Sequence, residues 1–503
     1  MSQPAPIGAA SVRGAKENSA VKDWNVDPWK AFYVIMAGGF MTLLDVSIVN
    51  VALPSITAHL QATSSQLQWI VAIYSLAFGV MLVPAGRFGD LFGRRTMFLV
   101  GIGGFGLASI LCGLAPSANF LIGARLIQGA FAAVINPQVA GLIQQMFTGA
   151  DRGRAYGYNG AAIGVATALG PVLGGVIVSA LPGQFGWRTI FLINVPIALV
   201  VIPMAIKLLP PPQRQDAKIR LDLVGIILMT AITLLLMLPL IIATQHASWS
   251  GAPWWMIGAA LAVWVLFMLW ELWRDGQGGT VILPRSLMRT PSFTLGTVII
   301  TVYFVGFSGF FVITSLYLQD GLGLPAWQAG MMLLPFALGG TVGAAGSGRY
   351  LHHYGRLVVV VGLACSLAGM SLGNLLISLD PTGNHVWTLI FAFLLAGFGN
   401  GCTIAPNQAL TLADVPVAST STAAALLQST QRIGTTLSIA VLTLVFFISL
   451  PLDLRGQPAS SAGEILTFSG AFSNALHVTE VTCSLALMMA LVDWYRRRHA
   501  SVQ

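Results

Sequence analysis

"GRFGDLFGRR" at Gly86–Arg95 and "GRYLHHYGR" at Gly348–Arg356 are two versions of one phrase: Gly-Arg, five residues, then Gly-Arg again. Each starts where a long apolar run ends. A weaker pair, "NPQVAGL" at Asn136–Leu142 and "APNQALTL" at Ala405–Leu412, falls late in two glycine-rich apolar runs. The chain therefore reads as two similar halves. Parallel repeats of this kind, related by an axis along the membrane normal, are a recurrent plan among polytopic membrane proteins.

Composition identifies the solvent as lipid. Of 503 residues 56% are hydrophobic and 8% charged, with a mean hydropathy of +0.80; a soluble domain carries about a quarter charged residues to face water. A helical crossing takes about 20 mostly apolar residues. Fourteen such segments can be marked, at 31–56, 68–88, 96–115, 117–144, 155–180, 188–208, 222–244, 253–273, 293–319, 325–348, 357–378, 386–412, 418–449 and 474–495. The pair at 222–244 and 253–273 matches neither half. The expected fold is an all-α membrane protein with 14 transmembrane helices in 6+2+6 order, the sixes forming two pseudo-symmetric bundles. Its divisions are a disordered cytoplasmic tail 1–30, an N-terminal bundle 31–208, a linker 209–292 with the two extra helices, a C-terminal bundle 293–495 and a basic tail 496–503.

Lysine and arginine set the orientation, because positively charged loops stay cytoplasmic. With both termini inside, 21 of the 25 Lys and Arg fall in cytoplasmic tails and loops; Arg188 and Arg455 lie outside, and Arg125 and Arg432 within spans. The net charge of +8 thus reports topology, and nucleic acid is not an expected partner. Residues 1–30 lack the apolar core of a cleaved signal peptide, so the first span is the insertion signal. Cys112, Cys365, Cys402 and Cys483 all lie in spans, form no CxxC pair, and read as small packing residues. No cofactor and no metal is expected. The expected address is a bacterial plasma membrane, with the lipid bilayer as partner and a monomer as the working unit.

Gly86, Gly89 and Gly93 allow a tight turn and close helix ends, and Asp90 is placed to accept hydrogen bonds from a neighbouring helix N-terminus or from Arg94. In the second copy His352 stands where Asp90 does, so that contact has no mirror image. "GPVLGG" at Gly170–Gly175 is a kinking and close-packing device: Pro171 frees a backbone carbonyl, and Gly170, Gly174 and Gly175 make one thin helix face. Three more stretches stand out: "LDVSIVNVALP" at Leu44–Pro54, "RLIQG" at Arg125–Gly129 and "GWRTIFLINVP" at Gly186–Pro196. Together and in this order these motifs resemble the major facilitator superfamily, specifically its fourteen-span drug:proton antiporter branch of multidrug efflux type, over nearly all of 31–495. The resemblance implies a cytoplasmic gate latch at Gly86, Arg87, Asp90, Gly93 and Arg94. It implies an antiporter motif at Gly170, Pro171, Gly174 and Gly175, which in the family marks exporters rather than uptake symporters. It also implies a part in proton transfer for Arg125. Ala166 departs from the extended antiporter motif, which has glycine there.

Asp45 lies roughly 2 Å from the midpoint of its span at about 1.5 Å per residue. Leaving it charged at the bilayer centre costs about 2.5–3.5 kcal/mol on insertion scales. It must therefore face a hydrated cavity or a cation, carry a proton, or hydrogen-bond to Ser47, Asn50 or another helix. Arg125 is its candidate partner; arginine keeps its proton and so can modulate a carboxylate but not relay through its own ionisation. Glu480, three residues from His477 on the last span, is the rival proton-coupling carboxylate. The expected substrate cavity is lined by Asn50, Tyr74, Gln128, Gln138, Asn159, Asn400, Asn407, Gln408 and Arg432. One carboxylate among aromatic and methionine side chains suits bulky amphipathic cations.

The leading expectation is a secondary transporter that exchanges protons inward for amphipathic, cationic drugs or toxic compounds outward. An exporter dedicated to one endogenous metabolite or lipid-like molecule, and a proton-coupled uptake symporter, remain as alternatives. An ATP-driven pump is disfavoured because the chain has no GxxxxGK[ST] loop. An enzyme is disfavoured because H-E-x-x-H is absent and no His/Asp cluster stands at metal-ligand spacing.

Overall fold

The computed structural model describes residues 24, 26–181, 183–211, 222–245, 251–277, 279, 281–283, 285–451, 454 and 459–500. Most of the expected N-terminal tail lies outside these residues. Within lipid a segment must satisfy its own backbone groups, so the apolar runs fold as helices. Six spans come first: α1 Pro28–Leu60, α2 Ser64–Phe92, α3 Arg94–Gly113, α4 Ala118–Met146, α5 Gly149–Ala180, and a sixth broken at Ile193 into α6 Gln184–Leu192 and α7 Asn194–Leu208. Then come α8 Leu223–Gln245, α9 Trp255–Gly276 and the short α10 Arg285–Met288. The remainder is α11 Pro291–Phe307, continued by α12 Phe310–Leu316 and a π turn Tyr317–Gly321, then α13 Ala326–Tyr354, α14 Arg356–Leu379, α15 Leu389–Thr411, α16 Thr420–Ile448 and α17 Ala462–Ala500. No strand occurs among the described residues.

Thirteen of these segments are long and apolar enough to cross a membrane. α5 occupies the remaining expected position but is not among them. Ends follow local chemistry. Asp27 caps α1 through the Trp29 N–H with Pro28 in the first turn, and Thr63 with Gln66 forms a capping box on α2. α17 begins at Ala462 rather than near 474, because Ser461 and Glu464 cap it there: the Glu464 N–H donates to Ser461 Oγ and the Ser460 N–H to Glu464 Oε2. The polar-looking start then packs inward, with Phe472 stacked 4.6 Å from Tyr317.

Within the first set α2 and α3 pack on α4, and α1 packs on α5 and α7; within the second, α13 and α14 pack on α15, and α17 on α11 and α14. Two apolar cores result, one drawn mostly from residues 31–209 and one from 299–490. The sets meet along two seams, α5 against α13 and α2 against α16. α8 packs on both α2 and α16, with Met237 against Gly79, and α9 packs on α8.

Candidate functional site

Asp45, in the middle of α1, is 1% exposed, and so is Arg125 of α4. They form an ion pair of 2.5 Å between Arg125 Nη1 and Asp45 Oδ2. Asp45 Oδ1 accepts from Gln128 Nε2 at 2.9 Å and from Asn194 Nδ2 at 3.0 Å. The helix break at Ile193 places Asn194 at the first turn of α7, where it reaches α1. Gln128 also accepts from Arg125 Nη1 at 2.8 Å and donates to Ser109 Oγ at 2.9 Å, while Arg125 Nε donates to the Ile70 carbonyl. The arginine plane lies 4.2 Å from the centroid of Tyr74, whose hydroxyl donates to the Thr42 carbonyl. Five helices thus close around one carboxylate. The cation that Asp45 faces is part of the same bundle.

A second cluster lies at one end of the α2–α16 seam. The Asp90 carboxylate accepts the backbone N–H groups of Ser421 and Thr422 at 3.2 and 2.9 Å and the Thr422 hydroxyl at 2.7 Å. Those N–H groups open α16, where unpaired donors and the helix dipole favour a negative charge. Arg94 is 3.6 Å from Asp90; it also donates to Ser421 Oγ, the Gly141 carbonyl and the Val417 carbonyl. Gln144 donates to the Leu412 carbonyl across the same gap. The helices approach so closely that a Cβ on Gly86 would sit 2.5 Å from Ala425 Cβ, and Gly93 turns the chain at φ 90°. Arg87 is buried beside this cluster, its Nε without a hydrogen-bond partner. In the second copy His352 is exposed, and Arg356 turns inward to Asp493 and Asn407, each at 2.6 Å.

The other expected residues divide. A Cβ on Gly170 would clash with Ser47 Oγ and one on Gly174 with Ile48, so these two let α5 cross α1, and Ser47 donates to the Ala166 carbonyl at 3.2 Å. Gly175 points into open space, because it is one residue rather than four from Gly174; the thin face has two glycines, not three. The side chains of Asn50 and Pro171 lie outside the described residues. Gln138 is buried, donating to the Ala85 carbonyl, and Asn407 is buried between Arg356 and the Gly296 carbonyl. Tyr74 and Gln128 belong to the Asp45 cluster. Asn400 accepts from the Tyr303 hydroxyl at 3.0 Å, and Asn159 and Gln408 are half-buried. Glu480 pairs with His477 at 2.9 Å on α17, which packs on α11 and α14; it is not joined to Asp45. Arg432, half-buried on α16, stacks on the Phe78 ring at 4.3 Å. Sequence reading missed Asn194, Ser109, Ser421, Thr422 and Asp493. Asn194 was within reach as a lone amide in the "FLINVP" apolar run; the small hydroxyls carried no signal.

The Major Facilitator Superfamily profile matches residues 35–439. The chain belongs to the Major Facilitator Superfamily. This facilitator is 37% identical over 420 residues to a probable actinorhodin transporter of Streptomyces coelicolor, covering 83% of this chain and 72% of that one. It is 32% identical over 482 residues to a puromycin resistance protein of Streptomyces alboniger, covering 94% and 93%. It is 27% identical over 472 residues to the multidrug efflux pump LfrA of Mycolicibacterium smegmatis, covering 92% and 91%. Among solved structures, the human organic anion transporter MFSD10 superposes with a TM-score of 0.63 at 17% identity, over 90% of this chain and 99% of that one. That likeness shows the fold. The facilitator is a multi-pass membrane transporter of small molecules and not an enzyme.

Proposed function

We propose that this facilitator is a proton-coupled antiporter that exports amphipathic compounds across the plasma membrane, with Asp45 as the proton site and Arg125 as its modulator. The observation that carries this reading is the closed Asp45–Arg125–Gln128–Asn194 cluster near mid-span. Protonating Asp45 removes the charge that holds Arg125, so the state of one proton decides how α1, α4 and α7 are tied. The Asp90 contact to the start of α16 supports a latch that closes the cytoplasmic end, with Gly86, Arg87, Gly93 and Arg94 around it. The same reading takes 14 spans in 6+2+6 order, α5 included, with bundles at 31–208 and 293–495, α8 and α9 in the linker 209–292, tails 1–30 and 496–503 inside, and a monomer as the unit. Relatives named for antibiotic resistance or multidrug efflux support export. A relative named for a single compound, actinorhodin, supports the second reading, an exporter dedicated to one metabolite.

The test is proton-driven transport in proteoliposomes with an imposed pH gradient, comparing Asp45→Asn with Glu480→Gln. Asp45→Asn is expected to fall to the level of protein-free vesicles, because asparagine cannot alternate between neutral and negative. Glu480→Gln is expected to lose little. The reverse pattern places coupling on α17, and retention by both removes an intramembrane carboxylate from the mechanism.

A further inference from the structure

The charges inside the membrane do not balance. Asp45 is neutralised by Arg125, and both its oxygens are occupied. Arg356, at the start of α14, is paired with Asp493, and Glu480 with His477. Among the described residues Arg432 has no such partner. Among the described residues no carboxylate lies within ion-pair distance of it, and its guanidinium makes no hydrogen bond. Its nitrogens are not among the sealed, unsatisfied polar atoms, so they open onto accessible space. It lies about 16 Å along α16 from Ser421, near the helix midpoint, on the face that carries Ala425 toward α2.

The position is built. Phe78 lies flat beneath the guanidinium at 4.3 Å, and Tyr74 stacks on Phe78 at 6.5 Å with 23° between the planes. Arg125 Cζ lies 4.2 Å from the Tyr74 ring centroid. Phe78, backed by Tyr74, therefore holds Arg432 in place on the seam between the two helix sets while leaving its donors free. An arginine stays charged at any physiological pH, and its planar fork matches a carboxylate or sulfonate in two parallel hydrogen bonds.

We propose that Arg432 and Phe78 form the recognition point for the acidic group of an aromatic substrate, so that the exported compounds are amphipathic anions rather than the cations expected from composition. This rests on the export reading above and narrows its substrate class. It also separates the two sites: the proton is held at Asp45 and the substrate at Arg432, so they are coupled through the position of the helices and not through competition for one carboxylate. Exchange of one proton inward for a monovalent anion outward moves net positive charge inward, whereas exchange for a monovalent cation moves none. An inside-negative membrane potential therefore drives the proposed exchange.

The matched probes are pyrenebutyrate and pyrenebutyl-trimethylammonium, which differ only in the charged end. Binding to the full chain in nanodiscs is read by tryptophan-to-pyrene energy transfer, without any gradient. The wild type is expected to bind the carboxylate about tenfold or more tightly than the ammonium. R432Q is expected to abolish that preference, R432K to retain part of it, and F78L to weaken it with the charge intact. Tighter binding of the ammonium, or an unchanged preference in folded R432Q or R432K, overturns the proposal. Transport is then measured in proteoliposomes. If the carboxylate binds as expected but no pH gradient moves it, the site stands and the antiport reading fails. If the gradient exports the ammonium and R432Q and R432K have no effect, the antiport reading stands and this site fails.

Discussion

Arg125, Gln128 and Asn194 contact both oxygens of Asp45, so protonating the carboxylate weakens its hold on all three. Arg125→Ala leaves a buried carboxylate uncompensated, a loss of about 3–5 kcal/mol for a broken buried pair. The expected result is a lower thermal midpoint in detergent, reversed in the double variant with Asp45→Asn, which removes the stranded charge. A double variant no more stable than Arg125→Ala alone shows that the pair is not the source of the loss. This much of the site was readable because a charge in lipid must be explained. Asn194, Ser109 and Thr422 were not, because neutral polar side chains are common in helix packing and only the fold brings them to a carboxylate.

A helix begins with N–H groups that have no partner, and α16 lends its own to Asp90 of another helix. Asp90→Asn keeps one acceptor and loses the charge, so the closed end is expected to open more often and transport to fall while membrane abundance stays near normal. Accessibility of a cysteine placed at Ala425 to a soluble maleimide checks this; unchanged labelling with lower abundance argues for a folding role. α1 and α5 depend instead on the absence of a side chain. Gly170→Val drives a branched group into Ser47, and stability and export are expected to drop together, whereas Gly175→Val faces open space and is expected to be tolerated. Parity of the two variants removes the crossing as the reason for the motif. The glycine spacing was legible, but which glycine touches α1 was not, because three small residues in six can share a face in more than one way.

At the scale of the molecule, repetition of the Gly-Arg phrase points to two halves, and apolar length marks most of the helices. It failed where other forces set the outcome. α17 starts early because its serines cap a helix instead of forming a loop. Gly153 and Gly348 touch across the α5–α13 seam. Oxidative crosslinking of Gly153→Cys with Gly348→Cys is expected to stop transport and a reductant to restore it; transport by the crosslinked form means that this seam does not part. The other seam is different, because α8 lies along both α2 and α16. A compound dissolved in the bilayer meets a continuous wall of helix on that side. The transporter therefore presents the membrane with one blind flank, where a third helix screens the joint between its halves.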